Sequence, residues 1–360
     1  MPLAIDPTDP RLRWRGAVSL QPGPGWVAPW RVPWERARLH LPAGGLGRAA
    51  MPAGVRICFA TDAPWLDVAY EADPAPPLNG PQETARLDVV VDGERAQTLP
   101  LRADGGDATV RVDTLPGAGG GTPATVELWL PPYHQLRLRG LTVPDGAVLE
   151  PDERALPAWV HDGSSISQGR GAASPSGAWT ARVAAAGGLD LTCLALGAAC
   201  HMQPLTARLM RDRPPAALLS ACVGINSQAL TALNEETFLA AVIGYVETVR
   251  ERHPETPFVL LSTTYAPWRE DVPNPAGLTI RDTRRLAARA VELLRAHGDA
   301  HVHHLDGLEL FGPDDAGRFL ERDHPEAEPL HPDPDGHVLM AERLLTALER
   351  LSALPVTAAG

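Results

Sequence analysis

The chain contains no lysine, since all 32 of its basic residues are arginine. This excludes Schiff-base chemistry and a phosphate-binding loop that depends on lysine. Cysteine is also scarce, and its four positions form no CxxC pair. We therefore expect no zinc site and reduced thiols. Cys193, Cys200 and Cys222 lie in or near apolar runs and should be buried as small apolar side chains.

Long apolar runs and basic patches are absent as well. No stretch approaches the roughly 20 apolar residues of a membrane span, and Met1–Asp6 lacks the regions of a signal peptide. We therefore expect a cytoplasmic protein that does not bind membranes. With no basic patch and a net charge of −12, a nucleic-acid partner is not expected either. We expect no cofactor, and the oligomeric state stays open.

The first half of the chain, residues 1 to 150, reads as a β-sandwich or jelly-roll domain. It lacks long helical periodicity, and glycine, proline and aspartate separate short alternating runs. Asp92-Gly93 predicts a hairpin turn, and residues 117–121 predict a flexible glycine-rich loop. The predicted strands are 36–41, 55–60, 65–70, 87–91, 109–112 and 125–129.

The second half, residues 155 to 355, has the pattern of a layered α/β domain. Its apolar runs alternate with amphipathic stretches, which predicts parallel βαβ units. In such sheets, functional sites lie beyond the carboxyl ends of the strands. Residues 144–154 are the predicted linker. The predicted strands are 156–160, 191–196, 216–222, 258–263 and 301–305.

A serine-rich turn, Gly163-Ser164-Ser165-Ile166, follows the first of these strands and precedes a helix-like stretch at 179–186. A serine at such a turn can expose its hydroxyl and present a backbone N–H to an oxyanion, as a serine nucleophile requires. On this segment alone, a serine that caps a helix is the better interpretation.

Two candidate oxyanion donors follow later strands. Gly197 comes after the run at 191–196, where glycine permits close backbone approach. Asn226 comes after the run at 216–222, where its side-chain amide can donate. In isolation, an ordinary turn glycine and an asparagine that caps the next turn are the better interpretations.

His331 lies in a proline-containing loop before the final helix and is a candidate general base. Glu328, three residues earlier, can hold the other imidazole nitrogen and fix its tautomer. A solvated glutamate in an acidic loop is an equal alternative. The histidine-rich end of the chain lacks an HExxH or HxxEH frame, so a metal site is not expected.

Taken together and in this order, the four segments resemble the conserved blocks of the SGNH hydrolases, also called GDSL esterases. The serine-rich turn is similar to the family's Gly-Asp-Ser-Ile-Thr block and places the nucleophile at Ser165 rather than Ser164. Gly197 and Gly224-Ile225-Asn226 are similar to the second and third blocks. Glu328-Pro329-Leu330-His331-Pro332 is similar to the last block, with glutamate where the family usually has aspartate. The resemblance covers about residues 158–351.

The resemblance implies a three-layer, flavodoxin-like fold and an acyl-enzyme mechanism. Ser165 would attack an ester carbonyl, His331 would take its proton, and Glu328 would orient His331. The oxyanion hole would comprise the N–H of Ser165, the N–H of Gly197 and the side chain of Asn226. Because Glu328 departs from the pattern, a dyad oriented by a backbone carbonyl stays open.

Some bacterial members of this family place a jelly-roll domain before the catalytic one, and these resemble carbohydrate esterases and natural-product acyltransferases. This implies a small-molecule or carbohydrate ester as substrate. We rank first an esterase that removes a small acyl group, in particular acetyl. An acyltransferase of the same mechanism comes second.

A carbohydrate-binding protein with an inactive hydrolase domain ranks third. In that case Trp14, Trp26, Trp30 and Trp34 would stack on sugar rings, although packing in a core is the preferred interpretation. The loop at residues 265–277 either overhangs the site or is an ordinary surface loop.

Overall fold

A computed structural model of the chain describes residues 1–113, 122–213 and 215–355. The glycine-rich loop predicted at residues 117–121 lies outside them. The chain divides into two compact units. The first comprises Met1–Leu78, Gln82–Ala155 and Ser174–Ser176, and the second comprises Asn79–Pro81, Leu156–Ala173 and Gly177–Gly360. Among the described residues, no helix has the length and apolar character needed to cross a bilayer.

The first unit is built from antiparallel strands. They are β1 Leu3–Ile5, β2 Arg13–Arg15, β3 Ser19–Gly23, β4 Trp26–Trp30, β5 Arg56–Thr61, β6 Trp65–Ala72, β7 Arg86–Val91, β8 Glu94–Pro100, β9 Asp107–Asp113, β10 Ala124–Trp129, β11 Leu136–Val143 and β12 Leu149–Pro151. One sheet has the order β3-β4-β11-β6-β9, with β1 on β11, and the other has the order β12-β5-β10-β7-β8, with β2 on β5. Two short helices, α1 Ala37–His40 and α2 Leu46–Ala50, follow β4.

The core of this unit lies between the two sheets. Every second residue of β6 is buried, which is the pattern of a strand with one face on a core. These residues share one apolar cluster with buried side chains of the other sheet, among them Ile57, Phe59, Val89, Val126 and Leu128. The unit is therefore the β-sandwich that the sequence predicted.

The local predictions for this unit had mixed outcomes. Asp92 and Gly93 join β7 to β8 with φ of 48° and 85°, as an Asp-Gly hairpin turn requires. The predicted strand at 36–41 is wrong, because a 3-10 turn at Trp34–Arg36 runs into α1; so short a run does not separate strand from helix. The predicted linker contains β12, which pairs with β5. Trp14 packs against the sandwich core.

The second unit contains a five-stranded parallel sheet with the order β14-β13-β15-β16-β17. Its strands are β13 Ala158–Asp162, β14 Asp190–Cys193, β15 Leu218–Cys222, β16 Phe258–Leu261 and β17 Val302–Leu305. The helices from this point on are α3 Ser165–Gln168, α4 Trp179–Ala186, α5 Pro204–Arg211, α6 Ile225–Ala229, α7 Glu235–Arg250, α8 Ile280–Ala296, α9 Gly307–Leu310 and α10 Pro334–Arg350, with 3-10 turns at Pro175–Gly177 and Pro313–Arg318.

This strand order is that of a flavodoxin-like, doubly wound sheet. Helix α4 packs against α10, while α7 packs against α5 and α8. Right-handed crossovers place these two groups on opposite faces of the sheet, which gives three layers. The strand order reverses between β13 and β15, so a crevice opens beyond the carboxyl ends of these two strands.

Candidate active site

The turn after β13 separates the two candidate serines. Ser164 is the N-cap of α3, and its hydroxyl accepts the N–H of Ile166 at 3.4 Å. It is 1% exposed. Ser165 is the first residue of α3 and the only one of residues 161–170 that is not fully buried. The capping role therefore belongs to Ser164, and the accessible hydroxyl belongs to Ser165.

Ser165 meets the predicted base. Its Oγ lies 2.9 Å from Nε2 of His331. On the other side of the ring, Nδ1 of His331 lies 2.6 Å from Oε1 of Glu321. The second oxygen of Glu321 accepts the backbone N–H groups of Leu330 at 3.2 Å and His331 at 3.1 Å. Serine, imidazole and carboxylate thus form one hydrogen-bonded line.

A short backbone pairing brings Glu321 to His331. Phe319 forms a bridge with Pro332, and the N–H of Leu320 donates to the carbonyl of His331 at 2.8 Å. The next residue, Glu321, therefore lies beside the imidazole. It is 3% exposed. Burial alone would raise its pKa, but the hydrogen bonds from the side chain and backbone of His331 and from Leu330 outweigh burial and lower the pKa below its usual value.

The predicted role of Glu328 needs correction. The structure places its carboxylate on the guanidinium of Arg269, with Nη2 of Arg269 at 2.6 Å from Oε2. Glu321 occupies the imidazole nitrogen that Glu328 was expected to hold, and an arginine fork binds the free carboxylate in a bidentate pair. Since Arg269 belongs to the loop at residues 265–277, this ion pair ties that loop to the segment before His331.

Sequence reasoning missed Glu321 altogether. It stands ten residues before His331 in an acidic loop, and no spacing rule distinguishes it from its neighbours. Only the pairing of Phe319 with Pro332, which joins two non-adjacent segments, singles it out.

Gly197 lies directly against Ser165. A Cβ at this position would be 3.4 Å from Cβ of Ser165 and 3.3 Å from Oε1 of Gln168. The N–H of Leu196 donates to the carbonyl of Gly163 at 2.9 Å, which holds the two segments side by side. The N–H of Gly197 donates to Oε1 of Gln168 at 2.8 Å. The predicted oxyanion donor is thus engaged by an amide oxygen of the chain itself.

Asn226 lies in α6, just beyond the carboxyl end of β15, which is the neighbour of β13. Its Oδ1 accepts the N–H of Cys200 at 3.0 Å. This bond fixes the orientation of the carboxamide, so the NH₂ group is the end that remains to donate. The residue is 6% exposed.

A buried histidine, His161, fixes the serine-rich turn to the sheet. His161 contacts Ser220 Oγ through Nδ1 at 2.7 Å and Ser167 Oγ through Nε2 at 2.9 Å. Trp159 donates its indole N–H to the same Ser220 hydroxyl at 2.8 Å. Burial lowers the pKa of His161 to about 3, so the ring is neutral at ordinary pH and links β13, β15 and α3.

An accessible serine on an imidazole that a buried carboxylate orients is the arrangement of serine-dependent ester hydrolases and acyltransferases. Residues 163–339 match the model of the GDSL-like lipase/acylhydrolase family, and residues 12–139 match that of the SsfX3 N-terminal domain. The solved structure of a salicylyl-acyltransferase, SsfX3 from a tetracycline biosynthetic pathway, is 46% identical with a TM-score of 0.91, over 99% of both chains. The chain belongs to the GDSL-like lipase/acylhydrolase family, and it is an enzyme of the ester-hydrolysing and acyl-transferring class.

More distant structures share the two-unit fold. A Bacteroides ovatus protein described as a GDSL-like lipase is 20% identical with a TM-score of 0.75, over 97% of this chain and 98% of its own. A family two carbohydrate esterase from Cellvibrio japonicus is 14% identical with a TM-score of 0.62, over 98% of this chain and 97% of its own. At these identities the likeness concerns the fold alone. No curated protein matches the chain.

Proposed function

We propose that the enzyme forms an acyl-enzyme on Ser165. Oγ of Ser165 attacks the ester carbonyl and its proton passes to Nε2 of His331. Glu321 stabilises the imidazolium that results. Collapse of the tetrahedral intermediate breaks the ester bond, and His331 returns the proton to the leaving alcohol. Water or an acceptor alcohol then attacks the acyl-enzyme by the reverse sequence.

The observation that carries this proposal is the hydrogen-bonded line itself. Ser165 Oγ is 2.9 Å from one imidazole nitrogen, and Glu321 is 2.6 Å from the other. These are the distances that a general base and its orienting carboxylate require. The proposed oxyanion donors are the N–H of Ser165, the NH₂ group of Asn226 and the N–H of Gly197. The Gly197 N–H would have to leave Oε1 of Gln168 to donate to the oxyanion.

The test compares the two adjacent serines. Ser165→Ala removes the nucleophile and should lower kcat for short p-nitrophenyl esters by about 10⁵-fold or more. Ser164→Ala removes only the helix cap, which costs about 1 kcal/mol of stability, and should keep the enzyme reactive towards a fluorophosphonate. Full activity in Ser165→Ala would sink the assignment. Failure of the unaltered protein to react with the fluorophosphonate would favour the carbohydrate-binding alternative.

A second candidate is acyl transfer to an alcohol rather than to water. It is favoured by the 46% identity, over 99% of the chain, to a protein that is a salicylyl-acyltransferase; the carbohydrate esterase from Cellvibrio japonicus is only 14% identical. Both acetyl and aromatic acyl donors belong in the assay, each with and without an acceptor alcohol. A transferase should form more ester than free acid when the acceptor is present, whereas a hydrolase should form acid throughout.

A further inference from the structure

A buried arginine next to α3 holds a segment from the first half of the chain. Arg170 is 2% exposed. Its Nη2 donates to the carbonyl of Asn79 at 3.2 Å and to the carbonyl of Pro81. Asn79–Pro81 belongs to the second unit, although the residues before and after it belong to the first. These two bonds therefore secure three residues of the sandwich half within the catalytic unit.

The middle residue of this segment, Gly80, lies against Glu321, the carboxylate proposed to orient His331. Gly80 has φ of +76°, and a Cβ built on it would lie 3.3 Å from Cγ of Glu321 and 3.3 Å from Cβ of Ala327. The side chain of Glu321 is 2% exposed. Gly80 thus covers the aliphatic part of Glu321, while the carboxylate beyond it receives the hydrogen bonds of His331 and Leu330.

The backbone of Arg170 is fixed beside both the nucleophile and the base. Its N–H donates to the carbonyl of Ser165 at 3.0 Å, and its carbonyl accepts from Nε2 of His337 at 2.9 Å. The next residue, Gly171, approaches Pro332 so closely that a Cβ would lie 2.2 Å from the Pro332 carbonyl oxygen. Arg170 therefore reaches the segment at 79–81 from a rigid base.

We propose that Arg170 and Gly80 are positioning residues of the catalytic centre. Arg170 holds Asn79–Pro81 in place. Gly80 packs against the CH₂ groups of Glu321, keeps water away from them and so holds the carboxylate on His331. Exclusion of water strengthens the interaction between the carboxylate and the imidazole. The proposal rests on the function proposed above, because it assigns both residues an effect on catalysis through Glu321.

Two glycines with nearly the same backbone provide the test. Gly80→Ala and Gly146→Ala both place a Cβ at a left-handed position, with φ of +76° and +80°, but the Cβ at Gly146 would meet nothing within 4 Å. Both variants carry a similar backbone strain. Gly80→Ala alone should displace Glu321 by a few tenths of an ångström. We expect kcat for an aryl ester to fall about 10-fold in Gly80→Ala, with KM unchanged, and to stay within twofold in Gly146→Ala.

A double variant shows whether the effect passes through Glu321. If it does, Gly80→Ala should add nothing to the loss in Glu321→Gln, because coupled residues are not additive. Losses that multiply would overturn the proposal, as would equal kcat in Gly80→Ala and Gly146→Ala. Arg170→Lys keeps a donor for the two carbonyls, whereas Arg170→Met has none, so Arg170→Lys should retain more kcat than Arg170→Met at matched stability.

The failure of this proposal can be told apart from the failure of the proposed function. Full activity in Ser165→Ala overturns the function and the positioning role together. An inactive Ser165→Ala beside a Gly80→Ala that behaves like Gly146→Ala overturns the positioning role alone.

Discussion

The replacement of Glu321 by glutamine tests the proposed catalytic role of the hydrogen-bonded line from Ser165 through His331 to Glu321 at its most buried member. Oε1 of Glu321 faces Nδ1 of His331 at 2.6 Å, and Oε2 accepts two backbone N–H groups, from Leu330 and His331. A carboxamide has the same shape but only one oxygen. In either orientation, its NH₂ group must face a group that donated a hydrogen bond to the carboxylate.

The expected loss of kcat follows from which of the three hydrogen-bond donors around residue 321 can adapt to a carboxamide. The two backbone N–H groups cannot reorient, so the amide oxygen should take their side and the NH₂ group should face Nδ1. His331 must then accept at Nδ1 and carry its proton on Nε2, the nitrogen 2.9 Å from Ser165 Oγ. That tautomer cannot act as the base. The corresponding Asp→Asn exchange in a serine protease lowers kcat about 10⁴-fold, which corresponds to about 5.4 kcal/mol in the barrier.

The assay measures kcat and KM for a short aryl ester in Glu321→Gln and, as a matched control, in Glu328→Gln. Glu328 pairs with Arg269 instead of His331, so its replacement leaves the hydrogen bonds between Ser165, His331 and Glu321 in place and should change kcat less than threefold. Thermal unfolding of both variants confirms that they are folded. The reasoning is refuted if Glu328→Gln loses as much activity as Glu321→Gln, or if Glu321→Gln stays within tenfold of the parent enzyme.

Further predictions concern the oxyanion site, the backbone and pH. Asn226→Ala should lower kcat by about 10²–10³-fold with little change in KM, as measured by steady-state kinetics. Gly171→Ala combines φ of +87° with a Cβ 2.2 Å from the Pro332 carbonyl oxygen, and calorimetry should show a free energy of unfolding lower by about 2 kcal/mol or more. Burial lowers the pKa of His161 to about 3 and that of His337 to about 4, from 6.5. The unfolded chain therefore binds more protons than the folded chain below pH 6.5. The free energy of unfolding, measured by denaturant titration, should fall by about 2 kcal/mol between pH 6 and pH 5; a rise would contradict this.

The sequence predicted the elements that local pattern determines. The five strands of the second unit, the helix from Trp179 and the Asp92-Gly93 turn all follow from short-range periodicity or turn chemistry. Ser165, Gly197, Asn226 and His331 were predicted as site residues because each follows a strand or precedes a helix in a recognisable order. The structure places the first three beyond the carboxyl ends of strands and sets His331 on Ser165.

What the sequence could not predict depends on contacts between distant segments. Glu321 acquires its place from a bridge between residues 319 and 332, and Gly80 reaches it from 241 positions earlier in the chain. Gln168 was passed over because a glutamine in a glycine-rich bend carries no signal of its own. Its bond to Gly197 becomes visible only when the two loops lie side by side.

In the mechanism proposed above, the bond between Gln168 and Gly197 allows the site to distinguish the bound ester from the tetrahedral intermediate. A neutral ester carbonyl is a weaker hydrogen-bond acceptor than the amide oxygen of Gln168, so a bound substrate gains nothing by replacing it at the Gly197 N–H. An oxyanion is a far stronger acceptor and displaces the amide oxygen with a net gain. An N–H that begins the reaction engaged thus discriminates by charge: it contributes little to substrate affinity and favours the tetrahedral intermediate, as differential binding of the transition state requires.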